Sequence, residues 1–376
     1  MTASTDAGAS RREAAAEVQA AALLPGPTAV SCTAAPGTGG LGRHLQEIVA
    51  ALGRGGSRAH VISGAERRGR PQHGAGVPYL AAVLRAWPML PSSPGVRARA
   101  AMVEFDAYAA ASLPDAEHLL AFNGQALLQL AAARRAGYRS ASIVSANPHL
   151  RRLARQHALA HRAYPLEGSW ATRLIDRNLA EYGQADRIYH ASEYIRESFL
   201  EEGVGEERLV RFPLTPEARY RPQRPAPRSG RYEIVYVGSL SVHKGVPLLI
   251  DAVRALPGLE LRLRLVGGWG TPGMRRFVQR ALAADGRIEV CPGDPLPRLR
   301  DANLCVHPAY EDGFGYAPAE ALAAGVPVIV SEDTGMKELI DGDGEGLVLP
   351  TGELAALTEA IEAAYRREIL TTAGGV

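Results

Sequence analysis

Lysine is almost missing from this chain. Of its 42 basic residues only Lys244 and Lys337 are lysines, and arginine supplies the rest. With heavy use of Ala and Gly, this is the composition of a GC-rich genome. Against that background a lysine in a loop is informative. Cysteine is scarce as well. Cys32, Cys291 and Cys305 are odd in number and widely spaced, which excludes a disulfide scaffold and a zinc ribbon and points to a reducing compartment. No apolar run reaches the ~18 residues that cross a bilayer. The N-terminal segment, with Arg11, Arg12 and Glu13, lacks the leucine-rich core of a signal peptide. A cytoplasmic protein is expected, with residues 1–26 as a loose or helical tail. Charge of one sign is also lacking: the net charge of +2 argues against a nucleic-acid binder. No short-period repeat is visible.

What is present is the rhythm of an α/β protein. At 376 residues, 46% hydrophobic and 22% charged, the chain is long enough for two globular domains. Short apolar runs alternate with helical patterns. In the first half they predict strands over Ala29–Thr33, Ala59–Ser63, His118–Phe122, Ser140–Ser145, Arg187–His190 and Leu209–Phe212. In the second half they predict Ile234–Val237, Glu260–Val266, Ile288–Cys291, Leu304–His307, Val328–Ser331 and Gly346–Leu349. Between Thr215 and Gly230 the rhythm breaks at Pro216, Pro222, Pro225 and Pro227, a linker composition. The expected plan is a Rossmann-like domain over 27–213, a linker over 214–231, a second over 232–352, and a terminal helix and tail over 353–376. Ligands of such sheets bind beyond the carboxyl ends of the strands.

The densest motif runs from Cys305 to Ile340. A buried strand leads to Tyr310-Glu311-Asp312-Gly313-Phe314-Gly315, then to a short helix through Pro318 and Glu320, then to Gly325-Val-Pro327-Val and a second buried strand. Gly313 and Gly315 let the backbone approach a ligand closely. Pro318 suits the first turn of a helix, and Gly325 closes it. The first-turn amides offer an anion or hydroxyl site.

This run resembles the C-terminal signature of retaining family 4 glycosyltransferases of the GT-B fold: acid, Gly-Phe-Gly, four residues, Glu, then a small helix ending Gly-x-Pro-Val. The resemblance covers residues 29–365 and is strongest after 232. It implies two Rossmann-like domains with parallel sheets facing across a cleft. It implies a nucleotide-diphosphate sugar as donor, UDP- or GDP-linked, and transfer of a hexose to a hydroxyl acceptor as an α-glycoside. The acceptor would be a small molecule, a glycan or a lipid-linked intermediate. No cofactor beyond the donor and no metal is expected. In this pattern Glu320 would bind the nucleotide ribose. The sugar-facing acid would be Asp312 or its neighbour Glu311; the family residue is Glu, and Asp312 keeps the eight-residue offset to Glu320. Gly313, Phe314, Gly315, Tyr316 and Ala317 would line the donor.

Other loops extend the pattern. Gly238-Ser239-Leu-Ser-Val-His243-Lys244-Gly245 lies between a strand and a helix, a cradle for phosphate. The resemblance gives Lys244 the donor's diphosphate. Ser239 stands where Arg is common, and His243 or an arginine of the first domain is the candidate to compensate. Gly267 ends the next strand, where the resemblance implies that the nucleotide passes. Gly37-Thr-Gly39-Gly40-Leu-Gly42 precedes a helix holding Arg43. It fits the dinucleotide fingerprint formally, but the second strand ends in Ser63-Gly64 with no ribose-binding acid. The acceptor-side loop of a GT-B first domain is the other reading. His149, just past a strand, is a candidate beside the donor sugar, and Ser192 reads as a helix cap. Arg151, Arg152, Arg155, His157, His161, Arg162 and Arg173 offer an anionic acceptor or a membrane surface a basic face, or are a solvated helix face. The catalytic set that the resemblance implies is Lys244, Asp312 and His149. The rivals are a GT-B phosphorylase or epimerase, a non-catalytic nucleotide-sugar binder, and an NADP-dependent oxidoreductase using Gly37–Gly42.

Overall fold

The computed structural model describes residues 2–64, 94–169, 171, 175–222, 231–340 and 345–373. Arg173, and Pro225 and Pro227 of the expected linker, lie outside them. Two compact units emerge. One gathers Arg11–Ala154 and Gly168–Leu214; the other gathers Met1–Ser10, Arg155–Glu167 and the chain from Thr215 on. The sequence expectation placed 155–167 with the first domain.

The described elements run as follows: α1 Thr2–Ala22, β1 Thr28–Cys32, α2 Gly39–Arg54, β2 Ala59–Ser63, α3 Pro94–Ala111, β3 His118–Phe122, α4 Leu127–Arg135, β4 Ser140–Ser145, α5 Leu150–Ala163, α6 Ile175–Gln184, β5 Ile188–His190, α7 Glu193–Leu200 and β6 Leu209–Arg211. Then come β7 Tyr232–Val237, α8 Val246–Arg254, β8 Leu261–Val266, α9 Pro272–Ala284, β9 Ile288–Cys291, α10 Leu296–Arg300, β10 Leu304–His307, α11 Tyr316–Ala323, β11 Val328–Ser331, β12 Gly346–Leu349 and α12 Leu354–Ala373. All twelve expected strands form, with ends shifted by a residue or two.

Each unit carries a six-stranded sheet, ordered β2-β1-β3-β4-β5-β6 in the first and β12-β11-β10-β7-β8-β9 in the second. Every pairing is parallel. The fold is α/β, two Rossmann-like units. Strands such as β1, β3, β10 and β11 are buried along their whole length, as parallel strands covered on both faces must be. In the second unit, Ile234, Leu263, Val306 and Ile329 meet Leu249 and Val253 of α8, Leu357 and Ile361 of α12, and Ala160 of α5.

The opening segment, expected as a loose or helical tail, is helix α1. It is tied down at Gln19, whose amide donates to Glu47 (3.0 Å) and to the Pro213 carbonyl (2.7 Å) and accepts from Arg54 (2.7 Å). The expected terminal helix runs from Leu354 to Ala373. Ser192 caps α7, its Oγ accepting from the Ile195 amide at 3.3 Å.

In the first unit the loop after β3 is held by buried charge. Glu181 of α6 accepts from the amides of Gly124, Ala126 (2.9 Å) and Leu127 (3.2 Å). Its neighbour Arg177 pairs with Glu181 and with Asp106, and Asp106 accepts from Leu128 (2.7 Å) and Gln129 (3.0 Å). Burial pushes the Glu181 carboxyl up to about 7 against the pull of those amides and Arg177. Removing the carboxylate leaves the amides of Gly124, Ala126 and Leu127 without their acceptor in the interior and takes one of its two carboxylates from Arg177. We expect Glu181→Ala to lower stability by about 3–5 kcal/mol, read as the shift in urea-unfolding free energy; a change under about 1 kcal/mol would show that the network is not what holds this loop.

Candidate functional site

In the second sheet β7 and β10 are neighbours, and the chain leaves them in opposite directions, toward β8 and toward β11. The loops after them diverge and open a crevice at the strands' carboxyl ends, the place where open α/β sheets bind ligands. The loop after β7 is pinned against the end of β8. Leu240 forms a bridge to Trp269, its N–H donating to Gly268 O (2.8 Å) while Gly270 N–H donates back (3.1 Å). Gly267 has φ +158°, and a Cβ there would fall 1.8 Å from the Gly238 carbonyl oxygen, so only glycine allows the two loops to touch. Glu167 adds a clamp: one carboxylate oxygen accepts from Val242 N–H (2.8 Å), the other from the Thr271 hydroxyl (2.6 Å). Gly245, left-handed at φ +72° with its Cα against the Pro308 carbonyl, turns the chain into α8.

The loop after β10 is pinned on its other side. Asp312 N–H donates to Asp333 O (3.0 Å), Gly335 N–H to Asp312 O (2.9 Å) and Met336 N–H to Phe314 O (2.6 Å). Gly315, at φ +86°, packs where a Cβ would lie 2.9 Å from Thr334 Cγ2, and starts α11. Pro318 is the third residue of α11, and Gly325 follows its end at φ +82°.

Across the crevice Lys244 Nζ donates to the Glu311 carbonyl (2.8 Å) and pairs with Asp312 Oδ2 (3.2 Å). Asp312 Oδ2 also accepts from His307 Nε2 at 2.9 Å. Burial would raise the Asp312 carboxyl, but Lys244 and His307 outweigh it and hold it well below the usual carboxylate range. Burial likewise opposes the charge on Lys244, and Asp312 and Glu311 overcome it, raising the ammonium above its ordinary value. Lys244 and Asp312 are therefore a charged pair on two loops, with about a fifth of each side chain exposed (18% and 22%).

The remaining candidates fall around this pair. Ser239 is exposed, and its carbonyl accepts from Tyr236 Oη (2.8 Å). Gly238 is half-buried, Gly313 and Phe314 are buried, and Tyr316 and Ala317 are half-buried at the start of α11. Glu320 is buried in α11 and adds to the burial that raises the Cys305 thiol to about 12. Glu311 is buried too, and it is its main-chain oxygen that meets Lys244. His243 is no second cation. Its ring stacks on His157 at 4.6 Å, and burial, then Lys244, then His157, drive its pKa well below the ordinary value. Of the arginine-rich segment, Arg151 pairs with Glu202 (3.0 Å) and Arg152 with Glu201 (3.1 Å), while His157 is buried.

In the first unit the glycine loop occupies the equivalent divergence, between β1 and β3. Gly37 N–H donates to Gly42 O (2.9 Å), and a Cβ on Gly42 would sit 2.1 Å from Ala35 O. These two glycines make the turn. Gly39, at φ +61°, and Gly40 are exposed in the first turn of α2, and Arg43 is half-buried. His149 is a core side chain at 2% exposure, its ring 4.8 Å from Tyr182 and edge-on to Phe199 at 5.2 Å. Sequence reasoning missed His307 and Glu167. His307 had a signal, a polar residue at the carboxyl end of an apolar strand five residues before Asp312. Glu167 had none, because its partners are distant in sequence.

Comparison with known proteins bears on the family and the fold. The family model described as Glycosyl transferases group 1 matches residues 220–373, and the Glycosyl transferase 4-like domain matches 39–215. A D-inositol 3-phosphate glycosyltransferase of Nocardia farcinica is 28% identical over 214 residues, covering 50% of this chain and 48% of that protein. The chain thus aligns with about half the length of the curated relatives it matches. Two solved structures share the fold. Sucrose-phosphate synthase from Thermosynechococcus elongatus superposes with TM-score 0.65 at 19% identity, covering 90% of this chain and 91% of that one. Anabaena HepE in complex with UDP and glucose superposes with TM-score 0.58 at 17% identity, covering 89% of each. These neighbours are GT-B glycosyltransferases. With paired parallel sheets, an acid–Gly-Phe-Gly–Glu loop and a lysine loop meeting at one strand divergence, the chain belongs to the group 1, family 4-like glycosyltransferases.

Proposed function

We propose that this protein is a retaining glycosyltransferase that moves a hexose from a UDP- or GDP-sugar to a hydroxyl acceptor, forming an α-glycoside. The observation that carries the reading is the Lys244–Asp312 pair at the β7/β10 divergence. It places a fixed positive charge and a hydroxyl acceptor side by side. A sugar diphosphate needs these two groups: the cation for the leaving phosphate and the carboxylate for the sugar hydroxyls. The Anabaena neighbour of like fold was solved with UDP and glucose, which supports a uridine or related donor.

In the proposed reaction the anomeric C–O bond breaks and its electron pair stays on the β-phosphate oxygen. The acceptor oxygen bonds to the anomeric carbon from the same face, and its proton passes to that phosphate oxygen. Charge develops on the diphosphate, so Lys244 lowers the barrier by being held in place beforehand. Glu320 is assigned to the ribose and Asp312 to the sugar. The acceptor is a small molecule, a glycan or a lipid-linked alcohol. Among the described residues no helix is long and apolar enough to cross a membrane. Glu201 and Glu202 neutralise part of the basic face that a membrane would need. One observation favours a binder without turnover: the exposed Ser239, where the family commonly supplies a second cation.

Lys244→Ala is expected to keep the fold and lower transfer about 10²–10³-fold. Binding of UDP or GDP should weaken by about 1.5–3 kcal/mol, the worth of a charged hydrogen bond. Release of nucleoside diphosphate from a panel of UDP- and GDP-sugars measures the first and calorimetry the second; near-normal turnover in a folded variant rejects the phosphate role, and tight binding without any release in the parent favours the non-catalytic reading.

Glu320→Ala should weaken the nucleoside diphosphate at least about tenfold, the loss of a charged hydrogen bond, and far more than Glu311→Ala does. Equal calorimetric affinities for Glu320→Ala and the parent would remove the ribose assignment.

A pH profile tests the pair itself. Lys244, raised, contributes stability below the unfolded lysine pKa and loses it only as pH rises through the folded value; Asp312, lowered, contributes above the unfolded carboxyl pKa and loses it only as pH falls through the folded one. Neither titrates between about pH 5 and 9. Donor turnover should show no limb from this pair in that window, and it should persist in EDTA if the protein's own charges serve the leaving group; loss of turnover on chelation would refute metal independence.

A further inference from the structure

We infer that His307 is a positioning residue for Asp312: it turns the shorter acid so that one carboxylate oxygen faces the donor sugar. The inference rests on the function proposed above and concerns the same site. Two contacts fall on a single oxygen. His307 Nε2 donates to Asp312 Oδ2 at 2.9 Å, and Lys244 Nζ reaches the same Oδ2 at 3.2 Å. Among the described residues Oδ1 carries no such contact, and the side chain keeps 22% of its surface open. The main chain cannot supply the adjustment, because Asp312 is locked on both its N–H and its carbonyl, to Asp333 (3.0 Å) and Gly335 (2.9 Å). Only the two side-chain torsions of Asp312 remain, and the bonds to Oδ2 fix them.

His307 is well placed to fix another group. Its ring is 2% exposed at the end of β10 and lies flat on Tyr236, 5.8 Å between centroids at 7°. Tyr236 in turn bonds the Ser239 carbonyl of the lysine loop. The other ring nitrogen, Nδ1, is buried with no hydrogen-bond partner. The tautomer with hydrogen on Nε2 therefore satisfies Asp312 and leaves only a bare lone pair inside, where a buried N–H would cost more. A ring with one hydrogen bond, spent on the acid, is suited to orienting that acid.

The test separates diphosphate from sugar. Affinities for UDP and UDP-glucose, and for GDP and GDP-mannose, are measured by calorimetry on the parent, His307→Leu and His307→Gln, together with kcat and KM for hydrolysis of the sugar nucleotide. Gln can return an amide N–H close to the position of Nε2. His307→Leu is expected to keep diphosphate affinity within about twofold while losing at least about tenfold in kcat or in the extra affinity that the sugar confers; a single positioned contact to a charged group accounts for a loss of that size. His307→Gln should recover most of it. If His307→Leu does not fold, His307→Met takes its place as the apolar variant. The inference is overturned if the apolar variant keeps the sugar-dependent term, or if diphosphate and sugar terms fall together as they would from a damaged core. A parent that binds neither UDP nor GDP overturns the proposed function, and this inference with it; a parent that binds while the apolar variant behaves like it overturns the inference alone.

Discussion

The ion pair between Lys244 and Asp312 is the contact on which the candidate site depends. It joins two loops that leave neighbouring strands and run apart, so it spans the mouth of the crevice. Each partner sits on a segment whose backbone is tied elsewhere, Lys244 through Gly245 and the Glu167 clamp, Asp312 through the 333–336 segment. Neither charge is fully buried. Each keeps part of its hydration, which limits the desolvation cost that makes closed ion pairs weak contributors to stability. In the proposed function this pair is where the donor's phosphate and sugar hydroxyls would bind.

Rigidity around the pair comes from backbone close approach. At Gly267 and Gly245 a methyl group would collide with main-chain oxygens of the neighbouring loop, at 1.8 and 1.9 Å. Glycine there lets loops after β7, β8 and β10 lie against one another as continuations of the sheet, a continuity also visible in the bridges Leu240–Trp269 and Asp312–Thr334. Groups arranged in this way need little reorganisation when charge develops on a substrate, the condition for electrostatic catalysis. The first unit solves a similar problem differently. Its loop after β3 is held by carboxylates that accept amide hydrogens from below, with Arg177 between them.

A doubly wound sheet does not name a reaction, since the same architecture carries many. The functional reading therefore rests on the side chains at the strand ends and on the family match. Against the family pattern that the sequence resembles, this chain departs in two places: Asp312 where Glu is usual and Ser239 where Arg is common. His243, the local candidate to replace the missing arginine, is a neutral stacked ring. Within the loop after β7 the charged cation is then Lys244, in a chain that uses lysine only twice.

The sequence by itself determined the secondary structure and the motif loops. Parallel strands buried on both faces are short continuous apolar runs, and the rhythm of run, glycine loop and helix is local, so all twelve strands were legible. The acid–Gly-Phe-Gly–Glu spacing and the lone lysine were legible for the same reason: each lies within one loop and its helix. The tertiary structure alone decided which groups meet. His307 reaches Asp312 only because the loop after β10 folds back over its own strand end, and Glu167 reaches Val242 and Thr271 across some 75 and 104 residues of chain. His149, a plausible site residue from its place after a strand, became a core ring because Tyr182 and Phe199 close around it. Strand order is of the same kind. That β10 lies beside β7, which opens the crevice, follows from packing between distant segments, and no local pattern of residues encodes it.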